Sequence, residues 1–409
     1  MHRVEIVLIF ALTYVGMALG RFPGLRLDRS GIALLAAIAL YSFGLEDPHR
    51  ILPAIDFPTL IILFVLMLVS GKLGVSGFYD WCALRVGAAA VSPTALLALV
   101  IVITGALSAL LTNDVVVFAL TPLLVHGIRQ RGLDPRPYLI ALAGASNAGS
   151  AATAIGNPQN VLIAQVGKLP FLPFVAACGI PALCGLASVF LVVWLVWRKR
   201  FLTGEEATPV PTAKVDRGHM LKAWAAILGI VIVLVTPIHD LAGLVAIAGL
   251  LLLSRRIATR RMLALVDWPL LLLFTCLFIV TDALASTGVP AEAIAWLDAH
   301  GLLPTRLALL APVALVGSNT IGNVPLVTLL LASWPGIPAG ALHSLAALST
   351  LAGNFLILGS IANIIVVERA DAAGARLGFR DHAACGVPMT LLSLGLAMLW
   401  LWAAGILSW

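Results

Sequence analysis

Two polar segments interrupt apolar stretches of the chain and carry side chains that could bind ions. The first reads Leu111-Thr112-Asn113-Asp114, and the second reads Gly317-Ser318-Asn319-Thr320-Ile321-Gly322-Asn323. If a helix follows each segment, these side chains stand at a helix N-terminus, among free backbone N–H groups and the positive end of the helix dipole. Simple helix capping by Asn and Asp is the alternative. The candidate ion-binding residues are Thr112, Asn113 and Asp114 in the first segment, and Ser318, Asn319, Thr320 and Asn323 in the second.

Two further stretches, residues 137–167 and 341–367, are long enough to cross a membrane but contain polar breaks. In the first break Gly156 permits unusual backbone dihedrals and Pro158 lacks an N–H, so the helix should unwind there. We expect the two breaks to form a cage of neutral oxygens and amide donors, able to hold a cation through carbonyls and an anion through helix dipoles. The candidates are Ser146, Asn147, Gly156, Asn157, Pro158 and Asn160 in the first break, and Ser349, Thr350, Gly353, Asn354, Ser360 and Asn363 in the second.

Lys72 and Asp282 are ionisable residues inside other apolar stretches, at positions that nearly correspond at an offset of 211 residues. We therefore expect them at nearly equivalent depths. An ionisable group inside a membrane is a functional hypothesis by default. Asp114, Asp282 and Lys72 are thus candidates for ion coupling, and a structural role at an interface or cavity is the alternative for the last two. No Arg or Lys lies beside the four polar segments, so a dianion would be held by dipoles, amides and co-bound cations.

The composition is that of a polytopic membrane protein. Of 409 residues, 61% are hydrophobic and 11% are charged, whereas about 25% are charged in soluble domains. The net charge of +6 comes from basic residues in short loops, which report orientation and predict no nucleic-acid partner. The five cysteines show no metal-ligand spacing, so no metal is expected beyond sodium. Neither cofactor-binding nor catalytic motifs occur, which argues against an enzyme.

The polar segments around Asn113 and Asn323 predict re-entrant hairpins over residues 93–127 and 303–333. The run Pro304–Gly317 would extend about 21 Å as a helix, too short for about 30 Å of hydrocarbon. Residues 93–111 are long enough to span, so charge must decide. With both hairpins, 20 Lys and Arg lie on one side and four on the other, with Lys72 inside a span. The termini are then on the non-cytoplasmic side of the bacterial cytoplasmic (inner) membrane, which the chain crosses many times.

Matched residues indicate an internal duplication. Asp56 and Gly77 correspond to Asp267 and Gly288 at an offset of 211, and Asn113 corresponds to Asn323 at 210. An offset of 203 relates Ser146, Gly156 and Asn160 to Ser349, Gly359 and Asn363. Each half would cross the membrane five times, so the halves must be inverted. The predicted fold is an all-α polytopic membrane protein with two inverted repeats, 1–197 and 223–409, joined by a cytoplasmic linker, 198–222. Because the symmetry needs the helix near residues 4–20, we interpret it as a span and not as a secretory signal.

The segments Leu111–Asp114, Ser146–Asn160 and Ser318–Thr320, with Thr121-Pro122, resemble the ion transporter superfamily of arsenite permeases, sodium–proton antiporters, and dicarboxylate and citrate carriers. Bacterial anion permease-like members are the most similar. The resemblance implies a scaffold domain, a mobile domain carrying hairpins and broken helices, elevator-type alternating access, and commonly a homodimer. Dicarboxylate carriers have Ser-Asn-Thr at both tips, whereas Thr112-Asn113-Asp114 stands at the first tip here. This departure makes proton or cation coupling more attractive than dicarboxylate specificity.

The sequence therefore predicts an ion-coupled secondary transporter for a small inorganic or organic anion or a metalloid species. Its coupling ion would be sodium or a proton, and its partners the lipid bilayer and the transported ion. A sodium–proton antiporter is the alternative, and a passive channel a weaker one. The antiporter would bind Na⁺ and H⁺ competitively at Asp114, whereas in the anion carrier Asp114 would serve only the coupling ion.

Overall fold

The computed structural model describes residues 2–19, 27–82, 91–202, 216–236, 241–253, 258–334 and 336–409. All regular secondary structure in these residues is helical, as the hydropathy predicts. The predicted linker starts with a 3-10 turn at Arg198–Leu202, and its residues 203–215 lie outside the described residues.

Helices are numbered in chain order. The first half contains α1 (Arg3–Leu19), α2 (Arg29–Ser42), α3 (Pro48–Ala54), α4 (Phe57–Val75), α5 (Pro93–Leu110), α6 (Asn113–Gln130), α7 (Pro135–Ser150), α8 (Pro158–Val166) and α9 (Phe171–Trp197). The second half contains α10 (Arg217–Val235), α11 (Leu241–Leu252), α12 (Thr259–Leu263), α13 (Trp268–Ser286), α14 (Val289–Ala299), α15 (Leu307–Thr320), α16 (Asn323–Ser333), α17 (Ala339–Ala352), α18 (Ile361–Ala372) and α19 (Phe379–Ala403).

Six of the described helices are at least 18 residues long and apolar enough to cross a membrane: α4, α5, α9, α10, α13 and α19. Several shorter apolar helices accompany them, including both arms of the second hairpin. Length therefore identifies some of the membrane helices, and the chain is a multi-pass membrane protein.

The long helices α4 and α13 begin in the same way. Asp56 accepts a hydrogen bond from the backbone N–H of Thr59 at 3.0 Å, and Asp267 accepts one from Leu270 at 3.0 Å. In each case a proline occupies the first turn, where its missing N–H costs nothing. Both helices end before a glycine with φ +76°, at Gly77 and Gly288. The residues matched by sequence thus occupy the same local positions, although inversion of the two halves stays a prediction.

The helices sort by their contacts into two groups. One group contains α1, α2, α4, α10, α11 and α13; the other contains the hairpins α5–α6 and α15–α16, the broken helices α7–α8 and α17–α18, and α9 and α19. The groups meet where α4 contacts α6 and α8, where α13 contacts α16, and where α9 contacts α10, the next helix along the chain. This boundary runs past the tips of both hairpins.

The helix ends lie close to the predicted segments. The hairpin arms α5 and α6 are separated by Leu111 and Thr112, and α15 and α16 by Ile321 and Gly322. The first hairpin extends to Gln130, three residues past the predicted boundary. The broken helices are interrupted over residues 151–157 and 353–360, the second break containing a short 3-10 turn. Four polar interruptions therefore lie in the second group of helices.

Candidate ion-binding site

Both hairpin tips, the second helix break and the start of α8, directly after the first break, line one pocket. Of the predicted binding residues, Asn113, Asp114, Pro158, Asn323 and Ser360 line it. The pocket lies at the boundary between the two helix groups, because α2 and α13 complete its wall. Most of the other predicted residues surround these five or connect them to one another.

The first tip is anchored to the first break by its backbone. The N–H of Asn113 donates to the carbonyl of Gly156 at 3.0 Å, and the side-chain Nδ2 of Asn113 donates to Oδ1 of Asn147 at 3.3 Å. Ser146 also donates to the carbonyl of Asn113, at 3.4 Å. With Nδ2 used in this way, the buried Oδ1 of Asn113 has no hydrogen-bond partner among the described residues. The hydroxyl of Thr112 is buried and unpartnered in the same sense.

Asp114 stands in the first turn of α6 and is half-buried. In the part of the chain that the structure describes, its carboxylate has no hydrogen bond or ion pair, and the first turn of α6 has no side-chain cap. Asp56 and Asp267, by contrast, both cap their helices. The capping alternative therefore does not describe Asp114, whose carboxylate remains available to a ligand near a helix N-terminus.

The second tip is anchored by a side chain. Nδ2 of Asn319 donates to the carbonyl of Ala352 at 2.9 Å, and its Oδ1 accepts from the N–H of Leu356 at 3.2 Å. Ser318 donates to the carbonyl of Ser349 at 3.2 Å. Asn323 is 7% exposed, and its Oδ1, like that of Asn113, has no partner among the described residues. The two matched tips thus present matched unpartnered amide oxygens.

Each helix break is held by one asparagine in the same pattern. Nδ2 of Asn160 donates to the carbonyls of Ser150 and Thr153, at 3.2 and 3.0 Å. Nδ2 of Asn363 donates to the carbonyls of Gly353 and Leu356, at 2.8 and 3.2 Å. Each residue of the second break in this pattern lies 203 residues after its counterpart in the first break. Because unwound backbone carbonyls must be satisfied inside a membrane protein, these asparagines stabilise the breaks.

The two breaks are also bonded to each other. Asn147 donates to Oδ1 of Asn354 at 2.7 Å and to Oδ1 of Asn363 at 3.1 Å, and its own Oδ1 accepts from Ser360 at 2.9 Å. At the matched position of the second half, Thr350 accepts from Asn157 at 3.3 Å. Five further contacts complete this network. Gln159 donates to Thr350, Thr350 donates to Asn160, and Asn157 donates to Ser150. Asn354 donates to the carbonyl of Gly144, and His382 contacts the carbonyl of Asn354. Most predicted break residues are therefore framework and not pocket wall.

Three predicted residues belong neither to the pocket wall nor to the hydrogen-bond network around it. Thr320, the last residue of α15, is exposed and donates to the carbonyl of Val316 in its own helix at 2.8 Å. Lys72 is fully buried and donates to the carbonyl of Leu251 at 3.4 Å. Asp282 forms an ion pair with Arg50 at 3.1 Å.

The expectation that Lys72 and Asp282 share a depth is wrong. Gly71, beside Lys72, lies against Leu265, which precedes α13, whereas Asp282 is near the other end of α13. The helices α4 and α13 are thus antiparallel, so matched positions lie at opposite ends. Asp282 is grouped there with Arg50 and Glu46, and burial raises the pKa of the Glu46 carboxyl.

Arg29 is a pocket residue that the sequence does not predict. No arginine or lysine is expected beside the polar segments, but the structure places Arg29, the first residue of α2, in the pocket wall with Asn113, Asp114 and Asn323. Arg29 lies 84 residues before Asn113, and nothing in its local sequence distinguishes it from the loop arginines that report orientation. Only the packing of α2 beside the second tip reveals it.

Comparison with known proteins identifies the family. The family described as CitMHS, citrate transporter, matches residues 14–352. The chain belongs to this family. As a CitMHS family member it is a membrane transporter, in agreement with the resemblance seen in the sequence.

Two relatives and one solved structure of another transporter match this chain over nearly its whole length. The inner membrane protein YbiR of Escherichia coli is 31% identical over 368 residues, which cover 88% of this chain and 91% of YbiR. The silicon efflux transporter LSI3 of rice, Oryza sativa subsp. japonica, is 27% identical over 446 residues, covering 90% and 91%. The crystal structure of the YdaH transporter of Alcanivorax borkumensis matches with a TM-score of 0.59 at 16% identity, covering 98% of this chain and 97% of that one. At that identity the likeness concerns the fold alone.

Proposed function

We propose that this protein is an ion-coupled secondary active transporter that moves a small anion or metalloid species across the bacterial inner membrane. The observation that carries the proposal is the matched pair of buried amide oxygens of Asn113 and Asn323, which have no partner among the described residues and share one pocket with the Asp114 carboxylate. A buried polar atom without a partner costs about 1–3 kcal/mol. A cation or hydroxylated ligand that enters the pocket would remove this cost.

The chemistry of the pocket supports a coupling cation. Amide and carboxylate oxygens are the ligands of hard cations such as Na⁺, and Asp114 can alternatively take a proton. We propose that Asp114 binds the coupling ion and that the helix N-termini of α6 and α16 face the substrate. The description of the family, citrate transporter, agrees with an anion substrate, and the name of the silicon efflux transporter of rice agrees with a metalloid substrate.

The mechanism proposed is alternating access of the elevator type. The second group of helices contains both hairpins and both broken helices, and its contacts with the first group are made mainly by α4 and α13, with a smaller contact between α9 and α10. In the proposed cycle the second group moves as a unit against the first, carrying the pocket between the two faces. The proposal includes inverted repeats, a homodimer, and termini on the non-cytoplasmic side.

A panel of uptake measurements tests the proposal. The purified protein, reconstituted in vesicles, is assayed with radiolabelled anions and arsenous acid under imposed Na⁺ and pH gradients, and a pH dye follows proton movement. We expect gradient-driven uptake of at least one anion or metalloid. Sodium-driven proton movement without any such substrate would contradict the proposal and support the antiporter, in which the Asp114 carboxylate would bind Na⁺ and H⁺ competitively.

A further inference from the structure

Arg29 is a charged residue of the pocket to which the proposed function assigns no role. It is the first residue of α2, is half-buried, and shares the pocket with Asn113, Asp114 and Asn323. Its Nη1 atom lies 3.7 Å from the position that a Cβ on Gly322 would occupy. The guanidinium therefore lies against the tip of the second hairpin.

The guanidinium of Arg29 has no hydrogen bond or ion pair with any residue that the structure describes. The neighbouring carboxylate of Asp28 caps α2 instead, accepting from the N–H of Gly31 at 2.8 Å. Other arginines of the chain are paired: Arg50 with Asp282, and Arg136 with Asp134 at 2.7 Å. A partly buried cation that lacks a counter-charge is unfavourable, so a ligand of opposite charge would stabilise it.

The pocket thus holds two charges of opposite sign, on separate elements, that are unpaired within the described part of the chain. Asp114 and the amide oxygens of the tips suit a cation, whereas the guanidinium offers a planar set of N–H donors that matches carboxylates and inorganic oxyanions. No bond between Arg29 and Asp114 is present in the described residues. Separate binding of an anion and a cation satisfies both side chains at once.

We infer that Arg29 binds the negative charge of the transported species, which is then a small oxyanion or carboxylate and not a neutral hydroxylated acid. This inference rests on the proposed function. Arg29 belongs to α2, which packs against α13, whereas the tip residues belong to the other helix group. If that group moves past α2, Arg29 contacts the substrate at one membrane face only. Arg29 belongs to the side that carries 20 of the Lys and Arg residues, which the positive-inside rule assigns to the cytoplasm, so this face is the cytoplasmic one.

The experiment compares transport from the two faces of oriented vesicles. The wild type, Arg29→Gln, Arg29→Lys and Arg380→Gln are assayed with citrate and sulfate as anionic probes and with arsenous acid as a neutral probe. Arg380 is the matched control because it also lies in the first turn of a helix, α19, but is exposed and outside the pocket. Thermal unfolding verifies that each variant is folded.

We expect Arg29→Gln to raise the KM of a transported anion about ten-fold or more from the cytoplasmic face, the scale of one charged hydrogen bond. The KM from the opposite face and the transport of a neutral solute should not change, Arg29→Lys should be intermediate, and Arg380→Gln should match the wild type. If Arg29→Gln leaves the anion KM unchanged, or raises it equally at both faces, the role of Arg29 is overturned and the proposed function is not. Uptake of arsenous acid but of neither anion also overturns it. Wild-type vesicles that transport none of the probes overturn the proposed function and this inference with it.

Discussion

The two hairpin tips share an amide and differ in charge. Asn113 and Asn323 begin α6 and α16, and both carry a buried Oδ1 without a partner in the described residues. The next residue is Asp114 in the first tip and Val324 in the second. Both of these residues line the same pocket. Both tips therefore contribute an equivalent amide oxygen to the pocket, but only the first tip contributes a carboxylate. Under the proposed function, the amides bind the ligand and the carboxylate binds the coupling ion.

The tips also differ in how they are held. The first is bonded to its helix break through backbone atoms, Asn113 to Gly156, whereas the second depends on the side chain of Asn319. Gly322 adopts φ +97° and ψ 157°, a region that is nearly restricted to glycine. The same ligand position is thus reached by two different local structures.

Removal of the Asp114 charge should have the largest effect on transport. Asp114→Asn keeps the size of the side chain but cannot bind a proton or neutralise Na⁺, so gradient-driven uptake should fall on the order of a hundred-fold, the upper range of site coupling. Initial uptake rates with and without the imposed gradient measure this loss. Val324→Asp in the Asp114→Asn background is the matched test, because it moves the carboxylate to the other tip. Normal uptake with unchanged pH and sodium dependence in Asp114→Asn would show that this carboxylate is not the coupling group.

Matched residues in the last turns of α7 and α17, directly before the two helix breaks, should differ in their effect on stability. Asn147→Ala leaves the amide groups of Asn113, Asn354 and Asn363 and the hydroxyl of Ser360 with fewer partners. We expect a loss on the order of 3 kcal/mol in the free energy of unfolding. Thr350→Ala, the matched variant, should lose about 1 kcal/mol. Thermal unfolding of the purified proteins gives both values, and equal losses would show that the two breaks do not differ in this way.

Gly322→Ala tests the conformation of the second tip. A Cβ at this position meets only ordinary contacts, with Pro325 at 3.6 Å and Arg29 at 3.7 Å, so its cost comes from the backbone dihedrals. That cost should be about 1–3 kcal/mol. Gly395→Ala is the control, since Gly395 lies within α19 with open space around its Cβ position. A Gly322→Ala protein as stable as this control would exclude strain at the tip.

The smallest expected effects are those of single tip amides. Asn113→Ala and Asn323→Ala each remove one neutral ligand, so each should weaken substrate or cation binding about ten-fold. Asn113→Ala should also reduce stability, because it removes the hydrogen bond to Asn147. Isothermal titration with Na⁺, together with thermal unfolding, separates binding from stability. Tight binding that persists in either variant would remove that amide from the ligand set.

The local features of the fold were predictable because they depend on local chemistry. Asn113 and Asn323 mark the starts of the second hairpin arms, and Pro158 begins the helix after the first break, as their residue types indicate. The contacts between distant elements were not predictable in this way. Arg29 enters the pocket through the packing of α2, and Asp282 is paired with Arg50, which lies 232 residues earlier. Hydropathy and spacing contain no information about such pairs.

Ligand protection of cysteines on both sides of the pocket tests the central claim most directly. Gln159→Cys represents the first half and Val324→Cys the second, because both residues line the pocket without being proposed ligands. Thr320→Cys is the control, since Thr320 is exposed and outside the pocket although it lies three residues before Asn323. In a background lacking the five native cysteines, Na⁺ and a transported anion together should slow the methanethiosulfonate reaction at positions 159 and 324 with the same concentration dependence, and leave position 320 unchanged. Protection at only one of the two pocket positions, or equal protection at Thr320→Cys, would contradict a single pocket formed by both halves.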